Sequence, residues 1–421
     1  MFGSYNRGDA LLVEALHDSL RQTFGEGSRL DGIAHFPELE RVHLPEVCWH
    51  RPPGRSYLTS PTLRRLQNAA RVLVVATYAV LGAPRWFPPL APREQLSAVR
   101  AIRDSDLVVS CAGGFLIDTN LSILGNLMQL ATAIRFRKAI VIAPQTIGPI
   151  RRSWIRPLLR WVLNRCGIIC TREPYSYNYV IKLGVDDSKV RQLTDLALYH
   201  RRVDSEAGSQ ALHELGISSD ERFLAASVVN WSFPRSSDAR ASRERYFESF
   251  CWIVSEVHRR FGYRTLLVNQ VSADLPFARR VKEKLGELVV LDERDRTPAE
   301  MRGLIRSASA FFGSRFHSCV FALLERVPTV SLAYSYKSTG IMETLGLGEY
   351  VFDIDGFDKP TVLARIVSNL EEGEQMRRRI DATMSNLSFP TFASVLAEYA
   401  IEPTSGSSGP SSLTKLSLQQ Q

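Results

Sequence analysis

Nowhere in its 421 residues does this chain run to eighteen consecutive apolar residues, so no membrane-spanning helix is expected. A secretory signal is missing too: Asn6, Arg7 and Asp9 fall where its apolar core would lie. A cytoplasmic location is the expectation. Cysteine is sparse, and Cys48, Cys111, Cys166, Cys170, Cys251 and Cys319 show no Cys-x-x-Cys spacing. Most of them sit in apolar runs, which points to buried free thiols rather than disulfides. His43, Cys48 and His50 lie close together but lack a fourth ligand, and Pro45 with Pro52-Pro53 puts them in irregular chain, so no metal site is expected. No nucleic-acid-binding module is recognisable, and nucleic acid is not an expected partner.

Acidic residues are absent from one long stretch. None occurs between Asp118 and Glu173, whereas Arg135, Arg137, Lys138, Arg151, Arg152, Arg156, Arg160, Arg165 and Arg172 all fall there. Trp154, Leu158 and Trp161 share one helix face within it. Such a block suits anionic lipid or a lipid-linked pyrophosphate, at the inner face of the membrane. The plainer reading, which charge runs favour, is a helix whose aromatics are core and whose arginines are solvated.

What is present describes a globular α/β protein. The chain is 45% hydrophobic and 23% charged, with a mild formal charge of +8, and its length exceeds one ordinary core. Strands are predicted at Val72–Ala76, Leu107–Cys111, Ile140–Ala143, Ile168–Thr171, Phe223–Val229, Thr265–Val268, Leu288–Leu291, Ala310–Gly313 and Thr329–Leu332. Helical patterns alternate with them, including Arg93–Arg103, Leu121–Phe136, Ser153–Cys166, Arg243–Arg259 and Ala299–Ser307. Continuous apolar strands between amphipathic helices predict parallel sheets covered on both faces. Two Rossmann-like domains facing a cleft follow, at 1–199 and 220–403. A linker over 200–219 is read from the polar run Arg201–Ser209, and a disordered tail from the Ser, Gly and Gln of 404–421. Helices after Lys359 are expected to close the second domain or cross back to the first. Phe36–Ser60, with four prolines, reads as an irregular insertion.

The segment Ser314-Arg315-Phe316-His317-Ser318 joins the apolar run Ala308–Gly313 to the apolar run Cys319–Leu324. A strand, a sharp turn and a helix start are predicted, with amide N–H groups and Arg315 suited to an anion. His317 can move a proton near neutral pH. A Ser cap before a core helix with solvated His and Arg is the competing reading.

Outward from this turn stand Asn6-Arg7-Gly8-Asp9, Gly113-Gly114-Phe115-Leu116-Ile117-Asp118, Pro144–Pro149, Thr171-Arg172-Glu173-Pro174, Thr194-Asp195-Leu196-Ala197, Pro328–Leu332 and Tyr334-Ser335-Tyr336-Lys337. In order and spacing this set resembles the polysaccharide pyruvyl transferase family, from about Phe2 to about Leu347. Two departures stand out. Only Met1-Phe2 precedes Gly3 where family members carry a full strand, which suggests a truncated or weak first strand. The second motif reads Ala112-Gly113-Gly114 where three glycines are usual.

The resemblance implies a fold similar to GT-B and transfer of a pyruvyl group from phosphoenolpyruvate to a sugar diol of a polysaccharide or its lipid-linked precursor. A cyclic ketal forms and phosphate leaves. Arg315, Lys337 and Arg172 are then the candidate cations for the donor, His317 the acid, and Asp9, Asp118 or the spent His317 the base. Gly113 and Gly114 permit close backbone approach, and Asn6 and Ser318 are candidate substrate contacts. Structural alternatives stand beside each: Asp9 as a helix N-cap, Gly113-Gly114 as a plain turn, Arg172 paired with Glu173, Asp195 in a structural role, and Lys337 as a surface lysine. The scheme requires no nucleophilic residue, metal or cofactor. Competing functions are a GT-B glycosyltransferase using a nucleotide sugar and a non-catalytic carbohydrate-binding protein.

Overall fold

The computed structural model describes residues 6–52, 70, 93–118, 122–386 and 389–401; the candidate strand Val72–Ala76 and the tail from Thr404 lie outside them. Thirteen strands are formed by the described residues: β1 (Asp31–Ile33), β2 (Cys48–His50), β3 (Leu107–Ser110), β4 (Gly113–Leu116), β5 (Ala139–Ile147), β6 (Ile168–Thr171), β7 (Val190–Gln192), β8 (Phe223–Ser227), β9 (Arg264–Val268), β10 (Val289–Asp292), β11 (Ala310–Gly313), β12 (Thr329–Ala333) and β13 (Val351–Asp353). All pairings among them are parallel. One sheet runs β3-β5-β6-β7 with β4 also on β5, a second runs β10-β9-β8-β11-β12-β13, and β1 pairs with β2 alone.

Apolar alternation explains why β5 sits inside its sheet. Val141 and Ala143 join one buried cluster, while Ile140 and Ile142 join another on the opposite face. Both faces are therefore covered, as parallel sheets require. Helices α1 (Arg7–Phe24), α2 (Pro37–His43), α3 (Arg93–Asp104), α4 (Ser122–Arg135), α5 (Ile155–Leu163) and α6 (Pro174–Lys182) belong to the first half. In the second half are α7 (Ser205–Glu214), α8 (Ala239–Phe261), α9 (Leu275–Leu285), α10 (Pro298–Arg306), α11 (Phe316–Leu324), α12 (Tyr336–Thr344), α13 (Lys359–Glu371) and α14 (Gly373–Ser385). The last described helix, α15 (Phe392–Ile401), crosses back onto α1, where the Thr23 hydroxyl donates to the Ala393 carbonyl at 3.2 Å.

The second sheet has the strand order of a doubly wound dinucleotide-binding fold: numbered from β8, it reads 3-2-1-4-5-6. Its direction of winding reverses between β8 and β11. The crevice outside the carboxyl ends of those two strands is where such sheets bind ligands. Ser227 closes β8 and Gly313 closes β11, register partners in the ladder. The turn bearing Arg315 and His317 thus leaves the sheet at its switch point.

Several readings change. Arg201–Ser209 is not linker throughout: α7 starts at Ser205, with the Asp204 carboxylate accepting from the Ala207 amide at 2.9 Å. Gly208, within that run, is a packing residue. A Cβ there would stand 2.3 Å from the Gly303 backbone of α10. The insertion is partly regular, since Pro37 starts α2 at a position that tolerates proline and Cys48–His50 forms β2. Gly113 and Gly114 begin β4 rather than a plain turn, and β5 extends to Ile147, so Gln145 and Thr146 lie within the strand.

A buried polar chain ties the two halves together. Glu14 of α1 bonds His200 (Oε2 to Nε2, 2.7 Å), and Arg302 of α10 donates to the His200 carbonyl at 2.7 Å. The Arg302 Nε donates in turn to Glu325 at 2.6 Å. Breaking such a chain at one member leaves a buried charge uncompensated.

Candidate active site

Two helix starts meet where the halves of the chain face each other. The first is Asn6-Arg7-Gly8-Asp9. Asn6, not Asp9, caps α1: its side-chain oxygen accepts from the Gly8 amide at 3.0 Å, and Asp9 sits in the first turn. The second is Arg315-Phe316-His317-Ser318, which opens α11. His317 packs so closely on Gly8 that a Cβ there would lie 2.1 Å from its Nδ1 and 2.7 Å from its own Cβ. Glycine is required at position 8 by this approach.

Gln270, just beyond β9, bridges the two turns. Its amide nitrogen donates to the Asn6 side-chain oxygen at 3.0 Å, and its amide oxygen accepts from the Ser318 hydroxyl at 2.8 Å. The Gln270 carbonyl also accepts from the Arg7 amide at 3.0 Å. Asn6, Gly8, His317 and Ser318 are thereby fixed as one unit, with Asp9 adjacent.

Arg315 is held by a residue that sequence reasoning missed. Its Nε and one Nη form a fork onto Asp274 at 2.5 and 2.7 Å, and Asp274 also accepts from the Asn230 amide at 2.8 Å. Burial works against the guanidinium, and Asp274 with Tyr334 outweighs it, so the net shift is upward. Asp274 uses one edge of the guanidinium, and the other edge has donors to spare.

Arg172 lies in the first half, 4% exposed, below the ring of Phe316 at 5.4 Å. It donates to Asp195 at 2.6 Å and to the Thr146 hydroxyl at 2.9 Å, with Glu173 at 3.5 Å. Arg172 is thus paired chiefly with Asp195 and only at longer range with Glu173. That pair supports Phe316, and through it the residue that follows, His317.

Asp118 is placed differently. One of its oxygens accepts from the amides of Arg151 and Arg152 at 2.9 and 2.8 Å, anchoring the loop between β5 and α5. Gly113, at φ +133°, adopts a conformation that favours glycine. Lys337 is the second residue of α12; its side chain lies outside the described residues.

Glu40 of α2 was also missed. It is buried, and burial pushes its carboxyl up to about 7, against the attraction of Arg7 and with repulsion from Asp9. Nothing in its proline-rich surroundings signals this. Gln270 and Asp274 did carry a signal, because both follow the carboxyl end of β9.

Away from this site, Asp31, Cys48 and His50 bring their ligand atoms within 4.8 Å of one another, and His43 is not in the group. His50 Nε2 bonds Asp31 at 2.7 Å, and Arg29 forks onto the same carboxylate, a cation where a metal would need an anion.

Comparison with known proteins agrees with the geometry. The family model described as "Polysaccharide pyruvyl transferase" matches residues 6–336. The chain belongs to the polysaccharide pyruvyl transferase family. Among its relatives is the amylovoran biosynthesis protein AmsJ of Erwinia amylovora, 22% identical over 395 residues that cover 89% of this chain and 92% of AmsJ. Solved structures show the fold alone. A putative UDP-N-acetylglucosamine 2-epimerase from Listeria monocytogenes superposes with a TM-score of 0.58 at 15% identity, covering 94% of this chain and 93% of that one. Anabaena Alr3699/HepE, in complex with UDP, gives 0.53 at 12%, covering 92% and 94%. The two Rossmann-like units of this chain thus share the architecture of GT-B glycosyltransferases and related epimerases. The matched span begins at Asn6 and contains each motif through Tyr336, so the two turns that meet at Gly8 and His317 both lie inside it.

Proposed function

We propose that the protein transfers the pyruvyl group of phosphoenolpyruvate to two hydroxyls of a glycan. The family and a relative in exopolysaccharide biosynthesis support the pyruvyl group and the glycan. The observation that carries the chemistry is the closure of Gly8 against His317, because it joins a titrating side chain to a turn containing a carboxylate.

His317 gives a proton to the methylene carbon of the donor, turning that carbon into a methyl group and leaving C2 cation-like. One sugar hydroxyl adds at C2, the C–O bond to phosphate breaks, and the second hydroxyl closes the ketal. Of the two hydroxyl protons, one replaces that given by His317 and the other leaves with phosphate. Asp9, in the same turn as Gly8, is the carboxylate next to His317 and relays a hydroxyl proton, whereas Asp118 anchors the loop before α5 through two amides. Arg315, oriented by Asp274, offers its second edge to the donor anion, with Lys337 as the partner cation. Asn6, Ser318, Gly113 and Gly114 complete the walls, and Arg172 acts from beneath Phe316.

The test is phosphate release and incorporation of solvent deuterium into the ketal methyl group, with phosphoenolpyruvate and a panel of glycan acceptors. His317→Gln is expected to lower turnover by about 10²–10⁴-fold. Wild-type turnover and labelling in that variant would remove His317 as the acid.

A further inference from the structure

Helix α5 presents an outer face that the proposed reaction does not use. Its inner side, Ile155, Leu159, Val162 and Leu163, is fully buried. On the outer side Trp154 is 58% exposed, Trp161 39% and Leu158 37%. Half of the six exposed large hydrophobic residues among those described are therefore on this one helix and its cap. They stand at i, i+4 and i+7, a single stripe. The expectation that these aromatics are core is overturned: the buried face was already filled by aliphatic residues, leaving no room for indoles.

The stripe is bordered by charge of one sign. Arg151, Arg152, Arg156, Arg160 and Arg165 are all exposed. Only Arg152 approaches a carboxylate among the described ion pairs, 3.6 Å from Asp118. Arg156, Arg160 and Arg165 donate to the carbonyls of Ile150, Gly184 and Trp161, which orients them without neutralising them. A groove lined by Ser153, Arg156, Arg160, Trp161 and Arg165 runs along the helix, and Arg165 stacks on Trp161 at 4.5 Å.

We propose that this face docks the protein on the surface of an anionic lipid bilayer. Tryptophan has an apolar body and a polar N–H and settles at the boundary between acyl chains and headgroups. The unneutralised arginines supply attraction to headgroup phosphates, and the groove between them has the donors to hold one. No described helix is long and apolar enough to cross a membrane, so contact is at the surface. A second copy of this chain is the poorer occupant, because apposed faces would bring five guanidinium groups against five.

The experiment is flotation of the full chain with vesicles of phosphatidylcholine alone and of phosphatidylcholine with phosphatidylglycerol. Binding is expected only to the anionic vesicles, with release as salt is raised. Arg156→Gln with Arg160→Gln should weaken it about 30-fold, roughly fivefold for each charge lost near the surface. Trp154→Ser with Trp161→Ser should also weaken it, at unchanged melting temperature since both side chains are exposed, and brominated acyl chains should quench wild-type tryptophan emission. Equal recovery with neutral and anionic vesicles overturns the proposal. So does full binding by the Trp154/Trp161 variant, self-association through this face in sedimentation, or capture by single-stranded nucleic acid in preference to vesicles. Flotation does not read turnover, so failure of the pyruvyl reading would leave this result standing.

Discussion

Replacing Gly8 with alanine is the sharpest probe of the meeting between the two helix starts. A methyl group there would lie 2.1 Å from His317 Nδ1, 2.5 Å from its Cγ and 2.7 Å from its Cβ. Carbon contacts are ordinary from 3.4 Å, so the two turns must separate by about 1 Å. Rotation of the imidazole cannot absorb this, because the near end of the side chain is also too close. Gly8 is the second residue of α1, where alanine favours helix by roughly 1 kcal/mol, and overpacking costs about 1–3 kcal/mol. Net stability should therefore fall by about 0–2 kcal/mol. A displacement of about 1 Å at a reacting group can cost about 10²-fold in rate, so turnover should fall by that order. Single-turnover phosphate release would measure it, with thermal melting as the control for folding. Adding His317→Ala should relieve the overlap and raise the melting temperature of Gly8→Ala, without restoring turnover. Wild-type turnover by Gly8→Ala would show that the closed contact is not part of the working site.

Other consequences concern charge. Arg315→Ala leaves Asp274, 5% exposed, as an uncompensated buried carboxylate, so the protein should lose about 3–5 kcal/mol of stability before any donor is added. Arg315→Ala with Asp274→Ala should recover much of that stability but none of the donor affinity in calorimetry; recovered affinity would remove Arg315 from the donor site. Glu40 has a carboxyl raised from 4.5 to about 7, so the folded state keeps a proton that the unfolded chain has lost. Stability therefore falls as pH rises between those values, by roughly 3 kcal/mol in all, and levels off above. Glu40→Gln should melt higher than wild type by a margin that widens over the same interval; a margin independent of pH would refute the buried, protonated state.

The parts of the site that lie along one stretch of chain were legible in the sequence. Ala310–Gly313 reads as a strand and Ser314–Ser318 as the turn into a helix, because a continuous apolar run ends at a glycine before a second apolar run. Ile168–Thr171 is located by a short apolar run set between Gly167 and the charged Arg172-Glu173. The pairings that decide what Arg315 and Arg172 can do were not legible: Asp274 follows a strand end and Asp195 stands in a motif, but they reach the arginines from distant elements and no local pattern encodes such a meeting. Edge strands β7 and β13, three residues each, lack an apolar run long enough to register. The polar run Arg201–Ser209 misled for a physical reason: it reads as linker, and the glycine inside it that is kept for helix contact carries no local sign of that role. Trp154 and Trp161 misled likewise, because periodicity shows that residues share a face and is silent on whether anything covers it.

The return of α15 to α1 has a mechanical consequence. Two bodies connected by a single flexible segment can translate and rotate about every axis. Here the chain passes between them twice, near His200 and again before Phe392, and a body tethered at two separate points swings mainly about the line joining them. Any relative motion of the two halves would be confined mainly to that one rotation, with the contact between Gly8 and His317 carried along a single arc.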